Sequence, residues 1–209
     1  GARLKRLIHG IKGHINFDHG FVQPVAGAGD EATIGIIEYV TAETHAPNFI
    51  CFGVILSATA AFADPRFWQY EFPETDFSKT RLESWLEIRS GGVGKDGIPA
   101  LDYVEMIALA DANIPATEPV ITLELAWQAP RAYLLRYMHE IVNDYVGDIP
   151  FSVTFCPLCN FAIVFDRHVQ GQVLNFGVTR QLRNSDMVMY DRQTFTWWEQ
   201  AEGQGIVGN

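Results

Sequence analysis

Short apolar runs separated by turn signals fill the chain beyond residue 119, and they constrain the fold more than any other feature. Val120 to Trp127, Arg131 to Met138, Phe151 to Phe155, Phe161 to Phe165, Val173 to Val178 and Met187 to Tyr190 are of strand length and rich in β-branched and aromatic residues. Gln128-Ala129-Pro130, Gly147-Asp148, Cys156 to Asn160, Gln170-Gly171 and Asp191 to Thr194 punctuate them. Such a series reads as an antiparallel meander that curves into one sheet or closes into a small barrel. Tyr103 to Ala112, with apolar positions three and four apart, reads as a helix packed against it. The expected fold class is α+β, predominantly β, with one or two short helices.

The first 63 residues differ in character. Ala46 to Ala63 is apolar, uncharged and 18 residues long, marginal for a membrane span. It opens on Phe49 to Leu56 and ends in Ala61-Phe62-Ala63 before Asp64-Pro65. That is the layout of a signal-peptide hydrophobic region with its A-x-A cleavage site, although the nearest preceding cation is Lys12. The expected organisation is an upstream extension over 1–45, the signal-like segment over 46–63 and one mature domain over 64–209, truncated at its C-terminus. Export to the periplasm or beyond follows, with membrane attachment only through an uncleaved signal segment. The alternative, a buried core helix or strand over 46–63, would leave the protein in the cytoplasm. The net charge of -10 argues against nucleic acid, because no basic stripe is available to displace counterions. A small molecule or a protein is the partner class that remains.

Chemistry concentrates in Cys156-Pro157-Leu158-Cys159-Asn160, the connection between two apolar strands. Two cysteines across a tight turn can present both sulfurs on one side with backbone N–H groups aimed at them, as in a metal-binding knuckle. Pro157 stiffens the turn, and Asn160 tolerates a left-handed conformation. One knuckle supplies two ligands, so His139, about a dozen residues upstream, is the expected third, with Glu140 or solvent as the fourth. The cofactor expected is one transition metal ion, copper or zinc, with iron as a further option. The same cysteines also read as a thiol–disulfide redox pair or an inert disulfide, although a redox pair ordinarily sits at a helix N-terminus and here a strand follows.

Other polar clusters carry weaker signals. Arg180, Arg183 and Asp186 share a short stretch that could clamp an anion or a partner. Ser90 to Pro99 holds four glycines at a spacing that fits no phosphate-binding loop, and reads as a turn needing positive φ. Trp197 and Trp198 should face opposite sides of a strand, with one in the core. His168 lies in a polar turn and reads as solvated.

Several motifs in order carry a resemblance. Asp76-Phe77-Ser78-Lys79, Ser90-Gly91-Gly92, Lys95 to Ala100, His139-Glu140-Ile141-Val142-Asn143-Asp144, Phe155 to Cys159, Val164 to Arg167 and Asn184 to Thr194 resemble the bacterial and archaeal domain-of-unknown-function family numbered 3179. The likeness spans about residues 76 to 207. It implies an exported or membrane-attached protein and makes His139, Cys156 and Cys159 part of the family pattern, without supplying an activity.

Overall fold

The architecture comes from a computed structural model, which describes residues 2–6, 33–35, 64–92, 94–115 and 117–209. The signal-like segment 46–63 and nearly all of the extension before it lie outside the described residues. Among the described residues no helix is long and apolar enough to cross a membrane.

The chain is β-rich, and in place of the expected one curved sheet or small barrel the described residues form three layered sheets and a separate two-stranded hairpin, His168–Val169 with Gln172–Val173. The central sheet has the order Lys5–Arg6, Phe161–Asp166, Ile149–Cys156, Ile141–Val146 and Leu101–Asp102; the last strand runs parallel to its neighbour and the others are antiparallel. A second five-stranded sheet, antiparallel throughout, has the order Gln204–Val207, Trp197–Glu199, Asp186–Asp191, Phe176–Arg183 and Ile88–Ser90. The third has Met106–Ala108, Thr33–Gly35, Arg131–Leu134 and Val120–Leu123. No closed barrel forms among the described residues.

The layering follows from side-chain parity. In Ile141–Val146, Ile141 faces the second sheet in a core with Cys156, Phe165, Phe176, Val178, Met189 and Trp198. Val142 and Val146 face the other way, into a core with Ile121, Leu123, Tyr133, Phe151 and Val153. A strand buried on both faces lacks the alternation of apolar and polar residues that marks a half-buried one, which hides its layer in the sequence. The outer face of the second sheet is covered by residues 64–87, where Phe72, Phe77 and half-buried Trp68 and Trp85 pack on Trp197 and Tyr190. Lys95 completes that layer, its ammonium 4.7 Å from the Phe72 ring centre and 4.8 Å from that of Tyr190.

The helix expected over Tyr103 to Ala112 does not form. Met106–Ala108 is a strand and Leu109–Asp111 a single 3-10 turn, because pairing with Thr33–Gly35 satisfies that backbone and overrides the local periodicity. The one α-helix among the described residues is Pro65–Trp68, capped by Asp64. Trp197 and Trp198 do face opposite sides, but both are core residues, serving two different layers.

Candidate functional site: a disulfide turn beside a buried ion pair

The hairpin joining Ile149–Cys156 to Phe161–Asp166 closes with Phe161 opposite Cys156. Asn160 adopts φ +49°, the left-handed conformation that lets so short a connection reverse. The Cys159 N–H points back at the turn's start, 3.2 Å from both the Cys156 carbonyl and Cys156 Sγ. The two sulfurs are joined as a disulfide, with Cα atoms 5.2 Å apart. Cys156 is buried, whereas Cys159 is partly exposed and Leu158 at the tip is 67% exposed.

Two residues with left-handed backbones meet beside this turn. Glu140 has φ +66°, and the Ile141 N–H donates to the His139 carbonyl across it (2.8 Å), a three-residue γ-turn. The Glu140 carbonyl accepts from the Phe155 N–H at 2.7 Å, which ties the turn to the disulfide strand. Arg180 has φ +62° and sits in a β-bulge, where the register of Phe176–Arg183 on Asp186–Asp191 shifts between Val178 and Gln181. The bulge turns its guanidinium inward, so that Nη1 donates to Glu140 Oε1 at 2.5 Å and Nη2 to the Gly91 carbonyl at 2.9 Å.

Gly91 and Gly92 make that approach possible. The Gly91 N–H donates to the Arg180 carbonyl at 2.6 Å, and a Cβ on Gly91 would stand 3.0 Å from that oxygen. Gly92 has φ +122°, and a Cβ there would stand 3.1 Å from Arg180 Nη2. The glycines of this stretch thus serve close backbone contact as much as left-handed turning. A pair of backbones held in sparsely populated conformations, locked by an ion pair, is a pattern typical of functional sites.

A small cleft opens here between the two five-stranded sheets, lined among others by Glu140, Cys156, Leu158, Arg180, Gln181 and Met187. It has room for about one water-sized molecule. Burial raises the Glu140 pKa and the Arg180 cation opposes the rise. A carboxyl raised in this way binds its proton more tightly in the folded chain. Its contribution to stability is complete below the ordinary glutamate pKa and is lost as pH rises through the raised value. Glu140→Gln removes that dependence. Its unfolding free energy should therefore fall less than the parent's between about pH 4.5 and pH 7, as denaturant titrations at several pH values would measure.

The remaining sequence candidates are placed as follows. His139 donates from Nδ1 to the Pro99 carbonyl, 3.1 Å away; a carbonyl only accepts, so that nitrogen carries the proton. Glu140 and Cys156 line the same cleft, while the two sulfurs are bonded to each other and Glu140 is paired to Arg180. No group of three metal-holding side chains occurs among the described residues. Arg180, Arg183 and Asp186 do not converge. Arg183 is engaged by Glu87 at 2.8 Å and Glu199 at 2.7 Å, and Asp186 accepts from the Ala201 N–H at 2.8 Å. They lie on paired strands rather than one loop, joined by Asn184 and Ser185, both at positive φ. His168 sits in a two-stranded hairpin with its Nδ1 2.8 Å from Asp166.

The family model described as Protein of unknown function (DUF3179) matches residues 95–209, more than half of the chain. The chain belongs to this family. No curated protein and no solved structure matches it significantly. The DUF3179 span contains Glu140, the disulfide and Arg180. Gly91 and Gly92, which receive Arg180, fall just before it, as do Asp76 to Lys79. Sequence reasoning missed two things at the site: the pairing of Glu140 with Arg180, and Gln181 in the cleft. The adjacent glycines were the available signal for the first, since close backbone approach is one of the few demands that calls for two together.

Proposed function

We propose that this DUF3179 protein is a thiol–disulfide redox protein whose Cys156–Cys159 pair cycles between disulfide and dithiol. The observation that carries the reading is the asymmetry of the pair: Cys159 is partly exposed, while buried Cys156 receives the Cys159 N–H at Sγ and lines the cleft that also holds Arg180. A thiolate from a reducing dithiol attacks Cys159 Sγ, the Cys156–Cys159 bond breaks, and Cys156 leaves as a thiolate stabilised by that N–H. The donor's second thiol then resolves the mixed disulfide, so that two electrons pass to the pair and the donor becomes a disulfide. Such chemistry suits an exported protein in an oxidising compartment, with a dithiol protein or small thiol as partner.

Equilibration of the folded chain with glutathione redox buffers, followed by thiol titration, tests this. Two thiols should appear without loss of structure, at a potential above about -300 mV, the range below which structural disulfides lie. Thiols that appear only on unfolding would sink the proposal.

A second reading, one transition metal held by the reduced pair with His139 and Glu140, is favoured by a separate observation. The Nδ1–H to Pro99 carbonyl bond gives His139 the tautomer that metal-ligating imidazoles commonly take. Copper or zinc retained by the reduced chain in elemental analysis, and lost in a Cys156→Ser, Cys159→Ser variant, would support it. An equal metal content in the two chains would dismiss it.

A further inference from the structure

We infer that the electron donor to this pair is a dithiol protein that receives the tip of the Cys156–Cys159 turn in an apolar hollow beside its own attacking cysteine, an inference that rests on the redox reading above. The turn offers a small thiol nothing to bind. Sites for small molecules are concave and enclose most of their ligand, whereas the cleft beside the disulfide has room for about one water-sized molecule. The exchanging sulfur instead stands beside an exposed apolar tip. Cys159 is partly exposed, and the two residues before it, Pro157 and Leu158, are exposed, Leu158 at 67%. Half-buried Leu182 lines the same cleft, so the apolar surface here is shared by three residues rather than being one stray side chain.

Charge narrows the partner further. Arg89 and Leu182 stand opposite each other where Ile88–Ser90 pairs with Phe176–Arg183, so their side chains share one face of the sheet, the face on which Leu182 packs toward the core of Cys156. Arg89 is exposed and in no ion pair among the described residues. In a chain of net charge -10, a free cation at this place draws carboxylates. The partner that fits has its attacking cysteine in an apolar hollow with carboxylates at the rim. In the complex its thiolate attacks Cys159 Sγ, and Cys156 leaves as a thiolate that takes up the proton the partner's cysteine lost on ionising. The partner's second thiol then attacks the partner's own sulfur in the mixed disulfide, and Cys159 leaves and takes up that thiol's proton. Two electrons and two protons pass to the pair, and the partner becomes a disulfide. Leu158 takes no part in the exchange itself, so its loss weakens docking alone.

The test uses the oxidised full chain, with an acidic thioredoxin, dithiothreitol and glutathione as donors and the rate of disulfide loss as readout. Leu158→Ser should slow reduction by thioredoxin about tenfold and leave dithiothreitol and glutathione within about twofold of the parent, because only a protein surface can bury the leucine. Arg89→Glu should slow thioredoxin about threefold or more at low salt, and the difference should vanish at about 1 M salt, where the charges are screened. A thioredoxin lacking its second cysteine should be found bonded to Cys159 rather than Cys156. Either variant reduced by thioredoxin as fast as the parent, or slowed to the same degree with dithiothreitol, would overturn the inference while the redox reading stands, since the folded pair is still reduced. A folded pair that none of the three donors reduces would instead overturn the redox reading itself.

Discussion

Arg180→Leu should lower the unfolding free energy by about 3–5 kcal/mol, the range measured when one partner of a buried ion pair is removed. The guanidinium and the Glu140 carboxylate have 13% and 9% of their side-chain surface exposed, so water cannot replace the lost partner. The variant should recover stability as pH falls, because Glu140 without its cation has an even higher folded pKa and is relieved by protonation. The double variant Glu140→Leu, Arg180→Leu should lose much less than the sum of the two single changes, since no charge is left buried. Urea unfolding of the four chains measures this cycle. Strictly additive losses would mean that the two side chains act independently and that the locked γ-turn and bulge need another cause.

Asn143→Leu is expected to cost about 3–5 kcal/mol, because each buried polar group it orphans costs about 1–3 kcal/mol. Asn143 Nδ2 donates to Asp102 Oδ1 and to the Phe176 carbonyl, both at 2.8 Å. Its Oδ1 accepts from Ser152 Oγ at 2.7 Å and from the Phe176 N–H at 3.0 Å. One side chain therefore fastens the central sheet to the backbone of the second. Leucine matches its size closely, so the loss would come from unpaired groups rather than from a void. A loss below about 1 kcal/mol would show that water enters and repairs the join.

The His139 to Asp144 motif shows what could be read in the sequence and what could not. That it is special is visible, and His139 and Glu140 were natural candidates for chemistry. Its division of labour is not visible, because Asn143 works toward the second sheet and Asp144 toward the third, where Tyr133 and Arg131 donate to it, each at 2.8 Å. Strand positions from Val120 onward are legible because apolar runs and turn residues are local signals. Sheet membership is not, since the central strands are buried on both faces and partners far along the chain decide who pairs with whom. Short strands such as Trp197–Glu199 and Gln204–Val207 lack the length to announce themselves. The turn at Cys156 to Asn160 was legible down to the left-handed Asn160. The ion pair beside it was not, because it depends on a bulge that no periodicity reveals.

The adjacent tryptophans have a further implication. Trp197 belongs to the layer with Phe72 and Phe77, and Trp198 to the layer that contains Cys156. Odd and even positions of the same strand thus answer to separate compartments. Evolution can alter the bulk of either compartment alone, but it can add or delete residues in these strands only in pairs, since a single step would exchange the contents of the two. Length variation among relatives should therefore gather in the turns, where the count is free.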